Sequence, residues 1–162
     1  YDKQMADVIE KVVVFDYEKK EFITLLNSQC NFGYKQSIFR QKPYLIFEVY
    51  FKLKPLKDKS EIWRLMDQYR LDREKKGQYL YPSAGCAFKN NPEKGIVSGK
   101  LIEELGLKGF QIGGMQVSEK HGNFIINKGG GSFKDYQKLV THIQEKALEE
   151  RQINLECEVY FF

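Results

Sequence analysis

The hydrophobic period of this chain changes sharply across the charged stretch KLKPLKDK at residues 52–59. Before it, residues 45–53 alternate: Leu45, Phe47, Val49, Phe51 and Leu53 fall on one side, Glu48 and Lys52 on the other, which predicts a half-buried strand. After it, Asp58 and Glu61 form a capping-box pair, and Ile62, Leu65, Met66 and Tyr69 recur at helical spacing until Lys75, Lys76 and Gly77. A period of two cannot run on into a period of 3.6 within one element. With Pro55 inside the switch, the chain is predicted to divide there into residues 1–56 and residues 57–162.

The first part reads as antiparallel strands. Residues 8–15 (VIEKVVVF) and 21–26 (EFITLL) are β-branched and aromatic-rich and are separated by the charged turn DYEKK, which predicts a strand pair. In the second part a short helix is predicted over Lys100–Leu105, closed by Gly106. A longer one starts at the Ser132/Asp135 capping pair and places Tyr136, Leu139, Val140, Ile143 and Ala147 on one face. FQIGGMQV and NFIIN read as strands between these helices, and LECEVYFF alternates once more to the end of the sequence. This order predicts an α+β fold, with a mixed sheet and about three helices in the second part.

With 162 residues, 42% of them hydrophobic, the chain can build a real core. Twenty-six basic against 22 acidic side chains leave a net charge of +4 with the lysines scattered, a balance that favours anionic ligands mildly and argues against nucleic acid as partner. Three cysteines, Cys30, Cys86 and Cys157, at wide spacing fit neither a disulfide framework nor a zinc site of paired cysteines, so no metal is expected and reduced thiols in a cytoplasm are the simplest reading. No apolar run approaches the roughly 20 residues that span a bilayer, and no signal-peptide pattern opens the sequence. The start at Tyr1 rather than Met suggests a piece of something longer.

The chemistry-bearing candidates are few. Cys86 sits in YPSAGCAFKNN, where Ala84 and Gly85 permit close backbone approach and Lys89 and Asn90 add a cation and an amide; its alternatives are a packing residue, a nucleophile or a proton donor. Glu156, Glu158 and Tyr160 share one face of the last predicted strand, opposite Leu155, Cys157, Val159 and Phe161. His121, in SEKHGNF, lies in a turn from which a ring nitrogen can reach a ligand, and a Cys86/His121 thiol hydrolase is a competing arrangement. His142 belongs to the polar side of the last helix. KGGGSFKDY lacks the Gly-Lys-Ser/Thr ending of a phosphate loop and reads as a glycine turn into the Ser132 cap, whereas FGYKQS reads as a hairpin bend presenting Lys35.

Taken in order, FGYKQSIF, YPSAGCAFKN, GKLIEELGLKGFQIGGMQVSEKHGNFIIN and LECEV resemble the successive signatures of the UDP-N-acetylenolpyruvoylglucosamine reductase (MurB) family. The resemblance runs nearly end to end, and the short spacing from Tyr34 to Cys86 is similar to the subtype without an inserted tyrosine-bearing loop. It implies an NADPH- and FAD-dependent reduction of UDP-N-acetylglucosamine enolpyruvate to UDP-N-acetylmuramate for peptidoglycan, in the cytoplasm. It also implies roles: Cys86 as proton donor where the family usually has serine, Glu158 as the catalytic glutamate, and Lys35 in place of a carboxylate-contacting arginine. Tyr34, Lys89, Asn90 and His121 fall on the side of the UDP-sugar.

Two substitutions have chemical consequences. A thiol, with reference pKa about 8.5, releases a proton more readily than an alcohol but must stay protonated to act. Lysine keeps arginine's charge and loses its bidentate fork. The resemblance further implies that the glycine-rich stretches holding the FAD pyrophosphate precede Tyr1. Residues 1–56 would then be the remnant of the FAD-binding domain and residues 57–162 the UDP-sugar domain. Such a chain, by itself, is expected to lack FAD and to be inactive, the alternative function being binding of the UDP-sugar alone.

Overall fold

The computed structural model describes residues 3–55 and 58–161, and the chain divides into two compact units, Tyr1–Lys59 and Ser60–Phe162. The break predicted between residues 56 and 57 lies outside the described residues.

The first unit is a three-stranded antiparallel sheet of β1 (Ile9–Asp16), β2 (Glu21–Leu26) and β3 (Tyr44–Phe51), in the order β2-β1-β3. Asp16 shapes the β1–β2 turn by accepting the amides of Glu18 and Lys19, at 2.9 and 3.1 Å. Val12 and Val14 of the central strand pack with Leu25 and Cys30 into a small core, flanked by Ile23, Phe32, Ile38, Phe39 and Val49.

The expectation for residues 45–53 needs correction. Leu45 pairs with Phe15 and Ile46 with Val14, but Glu48 pairs with Val13, so Phe47 is an extra residue in the ladder. This bulge inverts the alternation: Val49, opposite Val12, joins the core, while Leu45, opposite Phe15, lies on the other face. That other face carries Phe15, Phe22 and Phe47, with ring centroids 5.2 and 5.1 Å apart in sequence of contact, and Leu45 and Phe47 remain exposed. The strand is therefore not half-buried in the predicted sense.

The second unit contains α1 (Lys59–Lys75), β4 (Ser83–Cys86), α2 (Ser98–Glu104), β5 (Gln111–Ile112), β6 (Met115–Val117), β7 (Phe124–Asn127) and α3 (Phe133–Arg151). Its sheet runs β4-β7-β6-β5 and is antiparallel at every pairing, not mixed. The loops explain this: β5, β6 and β7 follow one another through connections far shorter than the dozen or more residues a parallel crossover needs.

The predicted face of α3 closes the core. Tyr136, Leu139, Val140, Ile143 and Ala147 are buried together with Phe88, Ile102, Val117 and Ile125. Ser132 caps the helix by accepting the Asp135 amide at 3.2 Å, and Asp135 returns a bond to the Ser132 amide at 2.9 Å. In α1, by contrast, no side chain is buried, and Ile62, Met66 and Tyr69 are exposed. Past α3 the chain is extended rather than a full strand: Cys157 forms an isolated antiparallel bridge with Phe88, while Leu155, Cys157 and Val159 pack on the core.

Candidate functional site

The site grows from a defect in β4. Ser83 pairs with Ile126 and Cys86 with Phe124, so three steps on β4 answer two on β7. Gly85 absorbs the extra residue at φ +85°, a left-handed conformation, while a Cβ there would meet nothing within 4 Å; backbone conformation, not space, demands glycine. The bulge sets the direction in which Cys86 leaves the strand.

Immediately beyond, residues 87–90 are held from every side. The Ala87 amide donates to the Asn123 carbonyl and the Ala87 carbonyl accepts the Glu158 amide, both at 2.8 Å. Phe88 exchanges two bonds with the side chain of Asn123, its amide donating to Oδ1 at 2.9 Å and its carbonyl accepting from Nδ2 at 2.8 Å. The Lys89 amide donates to the Glu156 carbonyl at 2.8 Å, and the Lys89 carbonyl accepts from Ser98 Oγ at 2.6 Å. Asn90 Oδ1 accepts the Ser98 amide at 3.0 Å, fixing the first residue of α2. Every one of these groups is satisfied internally, which makes the segment a rigid platform.

A cavity of about 290 Å³ opens beside this platform and is lined by Cys86, Asn90, Lys100, Glu103, Lys120 and His121, among others. Its floor exists because Gly122 lies against the carbonyl of Gly99, so that the 120–123 turn and the start of α2 meet at backbone distance. His121 Nδ1 accepts the Asn123 amide at 3.2 Å, and its ring rests on Phe124 with centroids 4.5 Å apart. Burial chiefly, with the charges of Lys76 and Lys108 adding, holds the imidazole below its usual pKa, so it is a neutral ring at neutral pH. Two lysines against one glutamate leave the lining net cationic.

The sequence-predicted residues thus divide. Cys86, Asn90 and His121 line one cavity. Glu158 is not among the lining residues, but its amide bonds to the residue next to Cys86. Lys89 turns aside to pair with the Glu156 carboxylate. Tyr34 and Lys35 belong to the first unit, at the tip of a turn closed by two bonds between Gly33 and Gln36 of 3.0 and 3.2 Å; Lys35 has φ +56°, its carbonyl accepts from Arg40 at 3.0 Å, and Tyr34 is exposed. His142 stacks on Phe110 at 4.4 Å, away from the cavity.

Sequence reasoning missed Lys100, Lys120 and Asn123. The two lysines carry no local signal, but an asparagine ahead of an apolar strand was a legible candidate for pairing with backbone. The glycine-rich turn does not cradle an anion: Asn127 Oδ1 already accepts the amides of Gly129 and Gly131, at 2.9 and 3.1 Å. Among the described residues no group of three or more His, Cys, Asp or Glu could hold a metal ion, and no helix is long and apolar enough to cross a membrane.

Fold and cavity together define an α+β domain with ionisable side chains gathered around one cavity. Residues 75–162 match the family described as UDP-N-acetylenolpyruvoylglucosamine reductase, C-terminal domain. The UDP-N-acetylenolpyruvoylglucosamine reductase of Fervidobacterium nodosum is 42% identical over 160 residues, covering 98% of this chain and 50% of that protein. Its counterpart from Shouchella clausii is 40% identical over 159 residues, with coverages of 98% and 50%. The crystal structure of the UDP-N-acetylenolpyruvylglucosamine reductase (MurB) from Thermus caldophilus superimposes with a TM-score of 0.76 at 37% identity, over 96% of this chain and 53% of that one. The chain belongs to the UDP-N-acetylenolpyruvoylglucosamine reductase family. It spans about half the length of these curated relatives.

Proposed function

We propose that the chain supplies the sugar-nucleotide half of an NADPH- and FAD-dependent reductase that converts UDP-N-acetylglucosamine enolpyruvate to UDP-N-acetylmuramate in cytoplasmic peptidoglycan synthesis. Residues 57–162 form the UDP-sugar domain, and residues 1–56 are the remnant of the FAD-binding domain. The observation that carries this reading is the convergence of Cys86 and Asn90 with His121, distant from them in sequence, on one cationic cavity with residue 158 bonded alongside.

The glycine-rich turn of this chain fits a flavin pyrophosphate poorly, because the amides of Gly129 and Gly131 are committed to Asn127 and its helix start to the Ser132/Asp135 cap. The work left to the described residues is binding, orientation and proton delivery. Lys100 and Lys120 offer charge to the diphosphate, and Asn90 and neutral His121 offer polar atoms to the sugar nucleotide. The Cys86 thiol gives its proton to the enolpyruvyl carbon that becomes carbanion-like on reduction; Glu158 assists, and Lys35 steadies the substrate carboxylate.

In the full-length protein, Cys86→Ala is expected to leave NADPH reduction of the flavin intact and to abolish reoxidation of that flavin by the enolpyruvyl sugar. Unchanged reoxidation removes Cys86 from the proton-donor role. For this chain alone, the committed glycine amides favour a sugar-nucleotide binder without bound FAD. Stoichiometric flavin absorbance in the purified chain refutes that part.

A further inference from the structure

We propose that Asn123 is a positioning residue for proton delivery, fixing Cys86 and Glu158 together through the backbone of Phe88; this rests on the proton-donor reading of Cys86.

Asn123 is 3% exposed and follows directly from the turn that carries His121. The β4–β7 ladder ends at the Cys86↔Phe124 pair, and beyond that point Asn123 replaces the missing strand neighbour. Its carboxamide presents one acceptor and one donor to Phe88, as a peptide group would, and its carbonyl takes the Ala87 amide. On the opposite side the residues flanking Phe88 are bonded to the C-terminal segment: the Ala87 carbonyl accepts the Glu158 amide and the Lys89 amide donates to the Glu156 carbonyl, which sets Phe88 opposite Cys157. One buried side chain therefore sets the register of two segments, one carrying the thiol and the other the carboxylate.

The chemistry is specific to asparagine. Aspartate keeps the acceptor for the Phe88 amide but turns a second acceptor toward the Phe88 carbonyl. Alanine leaves both groups of Phe88 without their partner. Glutamine carries one methylene more, which moves its carboxamide out of register with the two Phe88 groups.

The test uses the full-length protein. Asn123→Ala is expected to slow sugar-dependent flavin reoxidation about 10²-fold, the scale for a displaced reacting group, with affinity for UDP-N-acetylglucosamine changed less than about threefold and amide exchange accelerated at both Phe88 and Glu158. Asn123→Asp, nearly equal in size, carries the same comparison should Asn123→Ala not fold. An unchanged reoxidation rate, a parallel loss of affinity, or unchanged exchange at Glu158 overturns the proposal. A full rate in Cys86→Ala alone defeats the proton-donor reading; a normal loss there with wild-type rate in Asn123→Ala defeats only this inference.

Discussion

The carbonyl oxygen of Gly99 occupies the space in which a Cβ on Gly122 would stand. The contact joins the start of α2 to the turn bearing His121, and both line the cavity. Because the obstacle is backbone, it cannot rotate away. Gly122→Ala is expected to destabilise by about 1–3 kcal/mol, the usual cost of overpacking, and to weaken sugar-nucleotide binding. Gly99→Ala differs: the nearest atoms to its Cβ would be His121 Cε1 at 3.4 Å and Asn123 atoms at 3.5 Å. Chemical denaturation of the two variants should separate them clearly.

At Gly85 the constraint is conformational. With φ at +85° and no atom within 4 Å of the absent Cβ, alanine suffers only the left-handed backbone penalty, about 1–2 kcal/mol. Asparagine, which tolerates that region better, is expected to cost less than alanine despite its greater size. If crowding governed the position the order would reverse, which denaturation midpoints of Gly85→Ala and Gly85→Asn would reveal.

Much of this architecture was legible in the sequence where local pattern and final packing agree. The Ser132/Asp135 cap and the face of α3 are examples, since capping and a 3.6 period are read within one element. Residues 45–53 failed for the opposite reason: a single bulged residue, Phe47, reverses the faces, and a bulge is decided by pairing with another strand. The site shows the same division. Cys86, Asn90 and His121 stood out by residue type and motif, and they do share a cavity. Lys100, Lys120 and the clamp by Asn123 depend on contacts across tens of residues, so spacing could not expose them.

His121 gives the second unit a pH dependence whose sign follows from its lowered pKa. Burial disfavours the imidazolium in the folded state, so below the ordinary histidine value of 6.5 the unfolded chain binds the proton more readily. The stability contributed by neutral His121 is complete above that value and is lost as pH falls from 6.5 toward the lower folded pKa. Melting temperatures are therefore expected to drop over this window in the wild type and to change less in His121→Asn. A wild-type melting curve that is flat from pH 7 to below 6, or that rises on acidification, contradicts the assignment.

The two long helices of the second unit should behave as opposites. Ile143 and Leu139 of α3 are 0% exposed, and truncating Ile143 to alanine is expected to cost about 2–5 kcal/mol. Along α1 the exposed Met66 predicts a change within about 0.5 kcal/mol for Met66→Ala. Among the described residues α1 is braced by its own backbone bonds and by surface pairs such as Arg70 with Glu74 and Lys76 with Asp72, which salt screens. A 17-residue helix that buries no side chain among the described residues draws little on packing, which supplies most helical stability. Amide exchange should accordingly be slowest in α3 and orders of magnitude faster in α1, and added salt should speed α1 alone. Equal protection in the two helices would mean that the apolar stripe of Ile62, Met66 and Tyr69 is covered in solution by something other than the residues described.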